Sequence, residues 1–199
     1  MEKIFARFIQ VLFHPLLIAT LGMFILFRTN LYIVFISEQI RQVVLLTTFA
    51  ATCLIPLVII MLSDVFRTYL PEDKKLTGMR YLFIAISYFL GYYFLSKIPL
   101  SGFLKAGFLA GILVLIMLSL ISMQWNISSH MAGLGALTGV AVSVMLRFGV
   151  YNPVFFAAVI LAGGFTGFSR LVLEKNSPAQ IYAGYVLGFG ILFLVYSMI

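Results

Sequence analysis

The sequence predicts an all-α fold, a polytopic transmembrane helical bundle of 6–7 helices. Two observations carry that expectation. Of 199 residues, 63% are hydrophobic and 10% charged, with a mean hydropathy of +1.13, whereas a soluble domain carries about a quarter charged residues. Apolar runs near the ~20 residues needed to cross ~30 Å of hydrocarbon also recur along the whole chain. No soluble domain fits between them, so residues 1–199 read as a single integral membrane domain.

Seven apolar segments can be marked, at 8–27, 43–62, 81–97, 105–123, 131–150, 154–173 and 180–198. The first has no small-residue cleavage site and continues into further chain, so it reads as a span and not as a removed signal peptide. Residues 28–42 (RTNLYIVFISEQIRQ) are amphiphilic and are expected at the membrane interface. Gly107-x3-Gly111, Gly135-x3-Gly139 and Gly184-x3-Gly188 permit close helix approach. Pro15 and Pro56 are expected to kink or end helical turns, with the freed carbonyls satisfied by neighbours. The lone Cys53 makes neither a disulfide nor a metal site and reads as a small hydrophobe. His14 and His130 are the only histidines, and no carboxylate cluster accompanies either, so no metal and no cofactor is expected. His14, before Pro15, reads first as a buried or interfacial histidine.

Counting crossings puts the N-terminus, the polar loop 63–80, the turn 125–130 and the opening of 169–180 on one membrane side. Polar residues at membrane depth face a protein interior or a wet cavity, because lipid exposure is costly. That face carries Lys74, Lys75 and Arg80, then Ser128, Ser129 and His130, then Ser169, Arg170 and Asn176. Forked guanidinium donors, hydroxyls and helix N-termini suit an anion, and at a bilayer surface the natural anion is a lipid phosphate or diphosphate. The positive-inside rule puts this face in the cytoplasm only if Lys74, Lys75, Arg80 and Arg170 count as topology signals. Assigned to a phosphate site, they leave the two sides nearly even. The net charge of +7 fits anionic lipid or an anionic ligand, and nothing points to nucleic acid. Acidic residues are missing from the apolar segments, which argues against an ion-coupled transporter.

These residues resemble the type 2 phosphatidic acid phosphatases, the lipid phosphate phosphatases that share a helical core with the vanadium haloperoxidases. The family signatures read K-x6-R-P, P-S-G-H and S-R-x5-H-x3-D. Here "SRLVLEKNSPAQIYAGYVLG" from Ser169 is similar to the third and "ISSHMAG" around Ser129-His130 to the second. Lys74 and Arg80, followed by Tyr81, stand loosely for the first. The resemblance covers about 63–199 and implies a phosphatase-like core there. It implies His130 as general acid and Lys74, Lys75, Arg80, Ser128, Ser129 and Arg170 as phosphate-binding residues.

Asn176 falls on the position of the missing nucleophilic histidine, and Gln180 on that of its orienting carboxylate. An amide nitrogen whose lone pair is delocalised is no nucleophile at neutral pH, and covalent catalysis needs an activated one. The expectation is therefore a degenerate member in the bacterial inner membrane, binding a polyprenyl or glycerolipid phosphate or diphosphate without efficient hydrolysis. Two alternatives stay open. One is an active lipid phosphate hydrolase using His130, and the other a structural or accessory subunit with a membrane-protein partner or a second copy of itself.

Overall fold

Apolar side chains on every face of a segment give it no reason to sit at a water boundary. In lipid, each backbone N–H and C=O must then be satisfied within the segment, which makes it a helix. The computed structural model describes residues 2–28, 36–67, 74–149 and 153–199. Within them the elements are α1 (Glu2–Leu12), α2 (Pro15–Arg28), α3 (Glu38–Phe49), a π-helical turn (Ala50–Leu54), α4 (Ile55–Arg67), α5 (Lys74–Ser96), α6 (Gly102–Ser122), α7 (Ser129–Phe148), α8 (Pro153–Val172) and α9 (Pro178–Met198). The described residues contain no strand.

Among the described residues, five helical stretches are long and apolar enough to cross a membrane: Glu38–Ser63, α6, α7, α8 and α9. α1 and α2 add a sixth if the pair, bent by 55° at Phe13–His14, is one broken span. The chain is thus an all-helical protein with the segments of an integral membrane protein. Two expectations change. Segment 81–97 becomes part of α5, whose 23 residues reach about 35 Å. It is long enough, but Lys74, Lys75 and Arg80 at one end and Tyr81, Tyr88, Tyr92 and Tyr93 beyond make it less apolar than the others. Of the interfacial segment expected at 28–42, residues 29–35 lie outside the described residues, while Glu38 already opens the long helix. The Ser37 hydroxyl caps its start by accepting from Ile40 N at 3.4 Å, and Arg41 pairs with Glu38 at 2.9 Å.

By internal contacts the chain forms two units, Met1–Ile18 with Asn126–Ile199, and Ala19–Trp125. In the second unit, Pro56 explains the π-helical turn. Proline has no N–H for the ladder, and the turn before it widens so that Ile55 N donates five residues back, to Ala50 O. That shift frees the Ala51 carbonyl, and Ser87 Oγ of α5 donates to it at 2.8 Å. Thr52 of the same turn shares a hydrogen bond with Thr20 at 3.1 Å. α5 lies on α6, with Ser119 Oγ donating to Gly78 O at 2.8 Å and the Tyr88 ring against Gly111 and Phe108.

The first unit is organised by α7 and α9, its most extensive helix pair. Gly135 and Gly139 of α7 meet the backbone of α9 at Tyr185 and Phe189. Gly184 and Gly188 of α9 meet the Ser128 and Ala132 carbonyls in return. At these four positions the backbones stand where a Cβ would have to go. The pair is also tied by Tyr185 OH bonding Thr138 Oγ1 at 2.9 Å and by Ser143 Oγ donating to Phe193 O at 3.2 Å. At its far end Arg147 donates to the terminal carbonyls of Tyr196 and Ile199. Ile18, Leu134, Leu137, Val159 and Ala162 fill the core beside it, and α1 packs on α8 through Phe5 and Phe165.

Gly188→Ala is expected to separate α7 from α9, because the added Cβ meets the Ala132 backbone and no side chain can move aside. Overpacking of this kind typically costs ~1–3 kcal/mol or more. Gly190→Ala, with nothing within 4 Å of the new methyl, should leave stability unchanged. Thermal unfolding of the two variants in detergent checks the contrast.

Candidate functional site

Three chain segments of the first unit converge around Asn176, which is 7% exposed. α8 ends just before it. Glu174 takes a positive φ of 53°, and the two hydrogen bonds of a Schellman motif close behind it: Glu174 N to Leu171 O at 2.9 Å and Lys175 N to Arg170 O at 3.1 Å. This turns the chain back so that Arg170 and Asn176 face each other. Arg170 Nε and Nη2 both donate to Asn176 Oδ1, at 2.8 and 2.6 Å.

The other end of the amide is equally committed. Asn176 Nδ2 donates to Asn126 O at 2.9 Å and to Gln180 Oε1 at 3.2 Å. Gln180 Oε1 also accepts from Ser177 N at 2.9 Å, within the capping box that starts α9. Ser128 N donates to Gln180 O at 3.3 Å. One buried amide thus accepts two charge-assisted bonds and donates two more. It joins the end of α8, the start of α9 and the turn before α7.

His130 is the second residue of α7 and lies next to the bend between α1 and α2. Its ring meets the His14 ring edge to face, centroids 5.4 Å apart. His14 Nδ1 accepts from Leu16 N at 3.4 Å. The charged or chargeable groups acting on His130 are Arg170, His14 and Lys175, all basic. Glu174, the acidic residue of the 169–184 stretch, is exposed. Among the described residues no group of His, Cys, Asp and Glu could hold a metal ion. His14, His130 and Arg170 are half-buried and Lys175 is exposed.

No protein-family model, curated protein or solved structure matches the chain. The geometry therefore has to be weighed by itself. It brings Arg170 to Asn176, and Asn176 and Gln180 to the turn at 125–130 through Asn126 O and Ser128 N. Ser128 is fully buried at the N-cap of α7, with no side-chain capping bond. Lys74, Lys75 and Arg80 open α5 in the other unit. The side chains of Lys74 and Lys75 and the loop residues 68–73 lie outside the described residues. Gln10, His14, Thr166 and Lys175 were not among the expected site residues. The available signal was Gln10 and His14, two polar residues four apart within the apolar run "FIQVLFHPLL", which a helix places on one face.

Two outcomes follow from the Asn176 node. In a double-mutant cycle, Arg170→Met and Asn176→Ala should couple by ~1.5–3 kcal/mol, the range for hydrogen bonds to a charged group, read from unfolding midpoints. Glu174→Gly should raise stability by about 1 kcal/mol in the same assay, because a left-handed backbone burdens every residue with a Cβ.

Proposed function

We propose that the chain is a membrane protein that binds a lipid phosphate or diphosphate on a lipid phosphate phosphatase-like core and does not hydrolyse it efficiently. The observation that carries the reading is the charge and donor content around His130. The His14 and His130 rings meet beside the turn before α7, and among the described residues the other charges acting on His130 are those of Arg170 and Lys175. Bilayer-depth basic groups of this kind call for an anion, and a lipid headgroup phosphate is the anion at hand.

The state of Asn176 supports binding over turnover. Its oxygen is occupied by Arg170 and its nitrogen by Asn126 and Gln180, so the side chain serves as a brace. A phosphohistidine route has no nucleophile at that position. Arg170 keeps a guanidinium fork, of which Nε and one Nη2 N–H serve Asn176. The resemblance in "SRLVLEKNSPAQIYAG" and "ISSHMAG" adds the expectation of a polyprenyl or glycerolipid phosphate in a bacterial inner membrane.

Hydrolysis with His130 as the acid is the second reading, favoured by the nearby second imidazole of His14. Purified protein in nanodiscs separates the two. The binding reading expects phosphatidic acid or a polyprenyl phosphate to bind, Arg170→Ala to weaken binding about tenfold or more, and no phosphate to be released. Phosphate release abolished by His130→Ala would establish the second reading instead. Binding unchanged in Arg170→Ala would remove the first.

A further inference from the structure

One end of the second unit, where α2 and α5 finish and α3 begins, carries basic residues that the Asn176 node does not involve. Contacts fix a common level across these helices. Thr20 of α2 bonds Thr52 of the π-helical turn at 3.1 Å, and Gly91 of α5 lies against Ala51 of the same turn. The six residues between α4 and α5 are too few to return along a whole span, so α5 runs back beside α4 and α3. From that level Arg28 lies eight residues on from Thr20, Arg41 eleven residues back from Thr52, and Lys97 six residues on from Gly91. At 1.5 Å per residue these are rises of about 9–16 Å. All point to one end, because Arg41 reaches the Phe27 ring of α2 and α5 is antiparallel to α3. The spread of about 7 Å is the depth of one headgroup layer, and long basic side chains extend to close it.

Each of the three cations sits over an aromatic ring. Arg28 lies 5.2 Å from the Phe24 centroid, Arg41 5.9 Å from that of Phe27 and Lys97 4.9 Å from that of Tyr93. All are within the ~6 Å reach of a cation–π contact, which orients a cation without neutralising it. Phe24, Tyr93 and the adjoining Phe94 are exposed. Rings beside basic residues at the ends of apolar helices are the pattern of a membrane boundary. The stretches 28–42 and 97–105 hold Arg28, Arg41, Lys97 and Lys105 against a single acid, Glu38. Glu38 pairs with Arg41 at 2.9 Å, so this end keeps a surplus of positive charge.

We propose that this end of the second unit is a docking surface for anionic phospholipid. Headgroup phosphates meet Arg28, Arg41 and Lys97, and the upper acyl chains meet the rings of Phe24, Tyr93 and Phe94. A leaflet presents its charge as a layer, so the cations need a common depth and not a common pocket. Charge complementarity selects the occupant: a zwitterionic headgroup would bring its own ammonium against Arg28 and Lys97, whereas an anionic one brings only the phosphate they can hold. The surface does not rest on the phosphate reading given above.

The test uses the full-length protein in mixed phosphatidylcholine and phosphatidylglycerol bilayers. Phe24→Trp and Tyr93→Trp, each combined with Trp125→Phe, give single-indole reporters on α2 and α5. Quenching by brominated phosphatidylglycerol or brominated phosphatidylcholine then reads the relative affinity of each lipid beside the reporter. Both reporters should favour phosphatidylglycerol about fivefold, the ratio expected from one basic residue at a leaflet surface. Arg28→Gln should abolish the preference at the α2 reporter and Lys97→Gln at the α5 reporter, and 1 M salt should weaken both. Arg170→Ala should change neither. Equal quenching by the two lipids at either reporter overturns the surface. So does a preference that survives loss of its cation, or one that disappears in Arg170→Ala. The reporters lie on different helices, so if one variant fails to fold the other still decides.

Discussion

The backbone contact between α7 and α9 is the constraint on which the first unit depends. Lipid supplies no hydrophobic drive between helices, so association rests on close packing and on hydrogen bonds across the interface. Gly135 and Gly139 on one helix and Gly184 and Gly188 on the other bring backbone against backbone. That contact has a directional consequence. Ser128 and His130 start α7, and Asn176 and Gln180 precede or start α9, so zipping the helices fixes both starts beside each other. The Ser128 N to Gln180 O bond at 3.3 Å is the direct trace of this. The polar site is in that sense a by-product of a glycine seam that begins where Gly184 meets the Ser128 carbonyl.

Much of this was legible because membrane helices obey few rules. Apolar runs of the right length gave α6, α7, α8 and α9 nearly to the residue, and the small-residue spacing gave the faces of α7 and α9 that touch. The prolines behaved physically: Pro56 displaced its turn into a π-helical one, and a side chain from α5 satisfied the carbonyl set free. The tyrosines of α5 were harder to weigh, since an aromatic ring with a hydroxyl is apolar by volume and polar by hydrogen bonding.

What the sequence concealed was tertiary. Gln10 and His14 stand more than a hundred residues before His130, and no local pattern says that the bend between α1 and α2 returns to the start of α7. The role of Asn176 was half visible. Its chemistry could be read from the residue type, because an amide is no nucleophile. Its structural work could not, because that depends on Glu174 accepting a left-handed backbone where glycine is usual. Only that turn lets Arg170 and Asn176 meet across six residues.

An amide at position 176 also suits the arginine beside it. A guanidinium at the edge of hydrocarbon needs acceptors whether or not a ligand is bound, and an amide oxygen offers two lone pairs while a neutral imidazole offers one. Asn176 Oδ1 takes both Arg170 bonds, and its nitrogen anchors two further segments. The result divides the site physically. Around Asn176 the named donors and acceptors are matched within the protein, which makes that side rigid and chemically idle. Elsewhere in the same unit Gln10 Nε2, Ser128 Oγ, His130 Nδ1 and Thr166 Oγ1 are buried without protein partners. Unmatched polarity in a low-dielectric interior is costly unless something answers it. It persists where a ligand or ordered solvent does so, which makes these atoms, and not the Asn176 brace, the ones with hydrogen bonds left to make.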